Sequence, residues 1–216
     1  RNFNRLKFDM TLRSLHRLSA MLIAAFACVH LANHLASLSS VAAHLAFMDT
    51  ARAIYRQRIA ELVLLSGVAF QVCSGLWFVV RDWKQRRGLM PWLQATSGLY
   101  LAFFLLVHVG AVLFGRVFLD LDTNFFFAAA GFHVPPYQLF FAPYYFLAVV
   151  ALFTHLGCAV YWQVNAASRT ARALAVGLPM AVGGIIALLI VLSLAGMIQP
   201  VDVPAKYLAT YGGSAR

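Results

Sequence analysis

Five apolar stretches constrain this chain more than anything else in it. They run over residues 15–38, 60–80, 92–114, 137–164 and 174–198. Each is close to or above the roughly 20 apolar residues that a helix needs to cross a hydrocarbon core. Inside lipid, every backbone N–H and C=O must find its partner within the protein, which makes helices the natural fold for such segments. The expected architecture is therefore an all-α integral membrane bundle of five transmembrane helices. Composition agrees, with 62% hydrophobic and 11% charged residues, where a soluble domain carries about 25% charged.

Five spans put the two ends of the chain on opposite sides. Lys and Arg concentrate in cytoplasmic loops of membrane proteins. Arg1, Arg5, Lys7, Arg13, Arg17, Arg81, Lys84, Arg86, Arg87, Arg169 and Arg172 fall on one side. Arg52, Arg56, Arg58, Arg116, Lys206 and Arg216 fall on the other. The richer side is expected to be cytoplasmic, with the N-terminus there and the C-terminus periplasmic, in a bacterial inner membrane. The basic N-terminus leads into a run long enough to span, so a cleaved leader is not expected. The net charge of +10 sits beside the spans. It does not form a soluble basic domain, which excludes nucleic acid as a partner.

The expected organisation is one membrane domain over residues 1–198 and a periplasmic arm over 199–216. The loop from about 115 to 136 is acidic and aromatic, with a short interfacial helix expected around 124–130. Trp83, Trp92 and Trp162 lie near span edges, where aromatic belts form. Cys28, Cys73 and Cys158 lie in apolar runs without metal or redox spacing and read as small hydrophobes.

Seven histidines stand in this apolar frame, and ionisable groups inside membranes are costly unless used. An internal repeat sorts them. LSAMLIAAFACVH, ending at His30, resembles TSGLYLAFFLLVH, ending at His108. In both, a Ser precedes the His by eleven residues (Ser19 and Ser97). His30 and His108 fall at similar depth on two helices that start from the same side. Two imidazoles so placed suit the two faces of one haem iron; the bland reading is a hydrogen bond to a neighbouring helix. His34, one turn beyond His30, approaches from the same side as His30. It reads as a propionate partner or a satisfied core histidine. His155 lies in the other half of the bilayer, and Gln71 occupies the matching depth on the second span. His44 is expected in the connecting loop after the first span, and His133 in a loop. His16 and Arg17 sit at the cytoplasmic edge, as a quinone-pocket wall or a solvated interface. Glu61 is the acid close to a helix start on the outer side. It reads as an acceptor of a quinol proton or as an ordinary helix N-terminal carboxylate. Ala24, Ala25, Gly98, Ala102 and Gly110 leave room for a porphyrin or for close helix packing. Arg17, Arg81 and Arg116 suit propionates or lipid headgroups.

The segments LHRLSAMLIAAFACVHL, QVCSGL, WLQATSGLYLAFFLLVHV and HLGCAVYW resemble the cytochrome b membrane anchor of succinate dehydrogenases and fumarate reductases, of the single-chain, five-helix type. The resemblance covers about two thirds of the chain. It implies an outer haem b held by His30 and His108, and it matches His155 to one ligand of an inner haem. The other inner ligand falls on Gln71, which is not an expected haem ligand. One haem b is thus expected, with a second only through unusual ligation. The resemblance further implies quinone as a ligand, and iron–sulfur and flavoprotein-like redox subunits as partners on the basic cytoplasmic face. The chain has no flavin motif or cysteine cluster, so it would be a non-catalytic electron-transfer subunit. A diverged, haem-free structural or assembly subunit is the alternative. A transporter reading is weaker, because no broken-helix signature with acidic partners appears.

Overall fold

The computed structural model describes residues 2–164 and 168–212. The described residues are mostly helical, and no strand forms among them. Helices α1 (Asn2–Ala36), α2 (Val41–Tyr55), α3 (Arg58–Arg81) and α4 (Leu89–Val117) are followed by α5 (Phe125–Ala129), α6 (Gln138–Gln163), α7 (Arg169–Leu194) and α8 (Ala205–Leu208). Met10–Ala36 of α1, together with α3, α4, α6 and α7, is long and apolar enough to cross a membrane, giving five candidate spans. Their outward faces carry large apolar side chains such as Leu18, Leu62, Val80, Leu106, Leu139 and Ile185, each exposed. A water-facing surface rarely carries so much contiguous apolar area; a lipid-facing one requires it.

The bundle has a basic end and a capped end. Arg13, Arg17, Arg86 and Arg87 gather at the first, around the start of α1 and the α3–α4 connection. There Asp82 takes ion pairs from Arg81 at 2.7 Å and Arg13 at 3.3 Å. These pairs and the carboxylate's hydrogen bonds hold Asp82 below the usual carboxylate range, with the Arg81 hydrogen bond first among the causes. At the opposite end, α2, α5 and the segment through α8 fold over the helix ends.

Helix α2 departs from the sequence reading, which treated this stretch as connecting loop. It has 15 residues, about 22 Å at 1.5 Å per residue, too short for a span. Ser40 caps it by accepting a hydrogen bond from the Ala43 N–H at 2.9 Å. Arg52 pins its far end to the α4–α5 loop through Asp122 at 2.8 Å and the Thr123 carbonyl at 2.9 Å. The expected interfacial helix forms as α5, capped by Asn124. The C-terminal segment is folded onto the bundle. Tyr207 is fully buried, and its hydroxyl donates to the Asp122 carbonyl at 3.0 Å. It shares a core with Phe125, Ile190 and Leu194. The last four residues of the arm, 213–216, lie outside the described residues, as does Arg1.

Packing is uneven, and the unevenness positions the site. Helices α6 and α7 lie against each other along their length. Gly183 permits this, since a Cβ there would fall 2.6 Å from the Phe153 Cβ. Small residues allow such close approach between membrane helices. Helix α4 packs on α6 and α1 packs on α3. Helix α3 touches α4, and these four helices surround a long cavity.

Candidate functional site: two levels of histidine in one cavity

The cavity has a volume of about 1040 Å³ and runs from Arg13 and Arg17 at the basic end to Tyr55, Arg56 and Arg116 at the capped end. Ala, Leu and Val are the commonest residues of its walls, contributed chiefly by α1, α3, α4 and α6. A site for one small molecule usually spans about 300–1000 Å³, so this volume has room for a large cofactor. Imidazoles enter it at two levels.

Nearer the capped end, His30 of α1 and His108 of α4 face each other with ring centroids 6.1 Å apart and planes at 66°. Each is steadied by the phenylalanine one turn earlier on its own helix, where i and i+4 side chains meet. Phe26 stacks on His30 at 5.7 Å and 15°, and Phe104 stacks on His108 at 4.9 Å and 13°. The repeat therefore contains a Phe-x-x-x-His pair in each copy. That signal was present in the sequence beside the Ser-to-His spacing.

The other two histidines of this region extend the group sideways. His34 makes an edge contact with His30 at 4.8 Å, and His44 lies 5.1 Å from His34. His44 does not sit in a loop as expected. It lies in the first turn of α2, is 2% exposed, and packs on Phe125 at 5.1 Å. Its Nε2 shares a 3.3 Å hydrogen bond with the Asn33 amide nitrogen. Burial, first among the causes, holds the His44 imidazole down at about 4. A second cavity of about 180 Å³ adjoins His30, His34, His44 and His108, beneath Tyr144 and Tyr145.

Toward the basic end stand His16 of α1 and His155 of α6, both lining the main cavity. The Ser74 hydroxyl donates to the Phe70 carbonyl at 2.6 Å, so its oxygen accepts from His16 Nδ1 at 2.7 Å. His155 Nδ1 donates to the Gln94 carbonyl at 3.1 Å, with the Ser97 hydroxyl at 3.2 Å. Both rings thus carry their proton on Nδ1, which leaves the lone pair on Nε2. This is the tautomer of a metal-ligating histidine with an outer partner on its other nitrogen. Each ring also lies against a glycine that follows its serine. A Cβ on Gly75 would fall 3.6 Å from His16 Cε1, and one on Gly98 would fall 3.0 Å from His155 Cε1.

Gln71 is placed beside His16. Its amide nitrogen donates to His16 Nε2 at 3.2 Å, while its oxygen accepts from Ser19 at 2.7 Å. Gln71 is thus a bracket for His16, and His16 is the imidazole that α1 contributes at this level. The two serines of the repeat both serve here, Ser19 through Gln71 and Ser97 through His155. Eleven residues at about 1.5 Å each set this level roughly 16 Å from the His30 and His108 level. Arg17 lines the cavity at the basic mouth. Glu61 is at the capped mouth, ion-paired with Arg116, so its carboxylate is a partner of a guanidinium and not an isolated base. His133 lies apart from the cavity, bonded to the Leu194 carbonyl at 3.0 Å.

This donor set fits a haem. A macrocycle fills the equatorial positions of its iron and asks the protein for axial ligands alone. His30 and His108 present two imidazoles to one stretch of apolar cavity. Among the described residues, no group of three or more His, Cys, Asp or Glu is arranged to hold a bare metal ion. No family model, curated protein or solved structure matches the chain.

Proposed function

We propose that the chain is a haem b-carrying, electron-transfer subunit of a quinone-linked membrane complex, as its resemblance to the succinate dehydrogenase and fumarate reductase anchors implies. The observation that carries this reading is the His30–His108 pair, presented from α1 and α4 across an apolar cavity at 6.1 Å. A bound haem supplies one-electron chemistry at its iron. The chain supplies the rest. His30 and His108 would hold the iron, Phe26 and Phe104 orient their rings, and the aliphatic walls keep water out. The basic end is cytoplasmic by its excess of Lys and Arg, in a bacterial inner membrane. It offers a cationic face on which an acidic iron–sulfur or flavoprotein-like partner docks, with charge aiding encounter.

A second haem toward the basic end is favoured by a separate observation. His16 and His155 line one stretch of cavity, with their Nδ1 atoms engaged and glycines beside their rings. The ligand on the α1–α3 side is then His16, and Gln71 holds it in waiting.

A reduced-minus-oxidised optical spectrum of the purified protein tests the reading. A sharp low-spin b-type α band is expected, and in a His155→Ala background, where the capped-end pair alone is read, it is lost in both His30→Ala and His108→Ala. Fully loaded protein without such a band would rule the haem out and leave a structural or assembly subunit.

A further inference from the structure

We propose that Arg56 and Arg116 form a carboxylate clasp at the capped mouth of the main cavity, and that the clasp receives the propionates of the tetrapyrrole held by His30 and His108. The inference rests on the axial assignment above and adds what orients the macrocycle.

Both guanidinium groups line the cavity, together with Tyr55 and Thr123. Arg116 lies eight residues beyond His108 on α4, roughly 12 Å along the axis. Helical side chains lean toward the N-terminus, so Arg116 leans back toward His108. Arg56 comes from the end of α2, beside Tyr55. The Tyr55 ring meets Phe26 edge-on at 5.3 Å, and Phe26 in turn stacks on His30. The mouth is thus tied to both axial ligands through one intervening side chain or helix segment.

The charges at the mouth are not balanced. Arg116 is paired with Glu61, and Arg52 holds Asp122 Oδ1 at 2.8 Å. Among the described residues, Arg56 reaches one carboxylate oxygen, that same Asp122 Oδ1, at 4.0 Å. Its nearer partner is the neutral Thr123 hydroxyl at 3.1 Å. Three guanidinium groups therefore share two carboxylates, and Arg56 is the least compensated. Burial, then the charges of Arg52 and Arg116, push its pKa below the usual arginine value. An incoming carboxylate would relieve that field. Arginine takes carboxylates in paired, charge-assisted hydrogen bonds, which also fix direction. A tetrapyrrole whose acidic edge meets Arg56 has one way to stand between His30 and His108.

The test compares haemin with haemin dimethyl ester, in which both propionates are methylated. Each is titrated into haem-free, full-length protein in detergent micelles and followed by the Soret band. The titrations use the wild type and a His155→Ala background that reads the capped-end pair alone. Haemin is expected to bind at least tenfold tighter than the diester. Arg56→Gln should shrink that preference at least threefold while the bound haemin keeps its bis-imidazole spectrum, and Arg56→Lys should restore part of it. Equal affinity for the two compounds, or a full preference in Arg56→Gln, overturns the clasp and leaves the axial assignment standing. Binding of neither compound overturns both.

Discussion

Phe104 lies flat on His108, with ring centroids 4.9 Å apart and planes 13° from parallel. It is held in turn by Tyr144 at 4.8 Å and Tyr145 at 6.1 Å. The imidazole therefore cannot swing without displacing an aromatic cluster. Aromatic pairs contribute about 0.5–1.5 kcal/mol beyond their buried area. Phe104→Leu keeps an apolar side chain but removes the stacking surface, so haem retention should weaken about two- to tenfold by the same energies. The measurement is the rate of haem transfer to an excess of an acceptor protein. An unchanged rate would mean that His108 is oriented by the helix alone.

The basic-end histidines carry a prediction about stoichiometry. Fully loaded protein should contain two haems per chain. His16→Ala and His155→Ala should each remove one of them, because each takes away an axial nitrogen. Gln71→Leu should keep both, since it removes only the amide that occupies His16 Nε2. Ser19 is not stranded by that change, because its hydroxyl also donates to the His16 carbonyl at 3.1 Å. Haem quantified against protein decides the matter. Loss of a haem in Gln71→Leu with retention in His16→Ala would reverse the two roles.

The spans were legible because length and apolarity leave a membrane segment few alternatives. The His30–His108 pairing was legible because two helices entering from one side carry the repeat at one depth. What escaped was whatever depended on amphipathic or capping detail. Helix α2 is too short to register as a span and carries Asp49 and Arg52, so His44 read as a loop residue. Its cap, Ser40, is one of three serines between residues 37 and 40, and nothing local marks it out. His16 read as an edge residue because the apolar run begins at Leu15. The spanning part of α1 begins at Met10, more than a turn earlier, and that carries His16 into the cavity. Matching Gln71 to His155 by depth left out His16, to whose Nε2 the Gln71 amide nitrogen donates at 3.2 Å.

Gly98 offers a way to disturb one level and spare the other. A Cβ there would lie 3.0 Å from His155 Cε1 and 3.3 Å from its Nδ1. Gly98→Val adds two further methyl groups to that crowded side and should drive the imidazole from its bond with the Gln94 carbonyl. Gly110 is on the same helix, and a Cβ there would have no neighbour within 4 Å. Gly110→Ala is therefore the matched control, and it should be silent or slightly stabilising, since Ala is the better helix former. The expected result is selective loss of the basic-end haem in Gly98→Val, with the His30–His108 haem intact. Loss of both haems, or of neither, would contradict the separation into two levels.

Acid should loosen the capped end through His44. In the folded protein its imidazole is held at about 4, chiefly by burial and further by the charges of His30 and Arg52, against a partial rise from Asn33. The ordinary value is about 6.5. Between those values the unfolded chain binds the proton and the folded chain does not, so stability rises with pH across that window. The contribution is complete above about pH 6.5 and is lost progressively as pH falls toward 4. For a residue 2% exposed, the full swing is on the order of 3 kcal/mol at about 1.4 kcal/mol per pH unit. His44→Gln keeps an amide to meet Asn33 but has no proton to take up. The apparent melting temperature in detergent, followed from pH 7.5 to 4.5, should fall more steeply in the wild type than in His44→Gln. Parallel curves for the two proteins would place the acid sensitivity elsewhere.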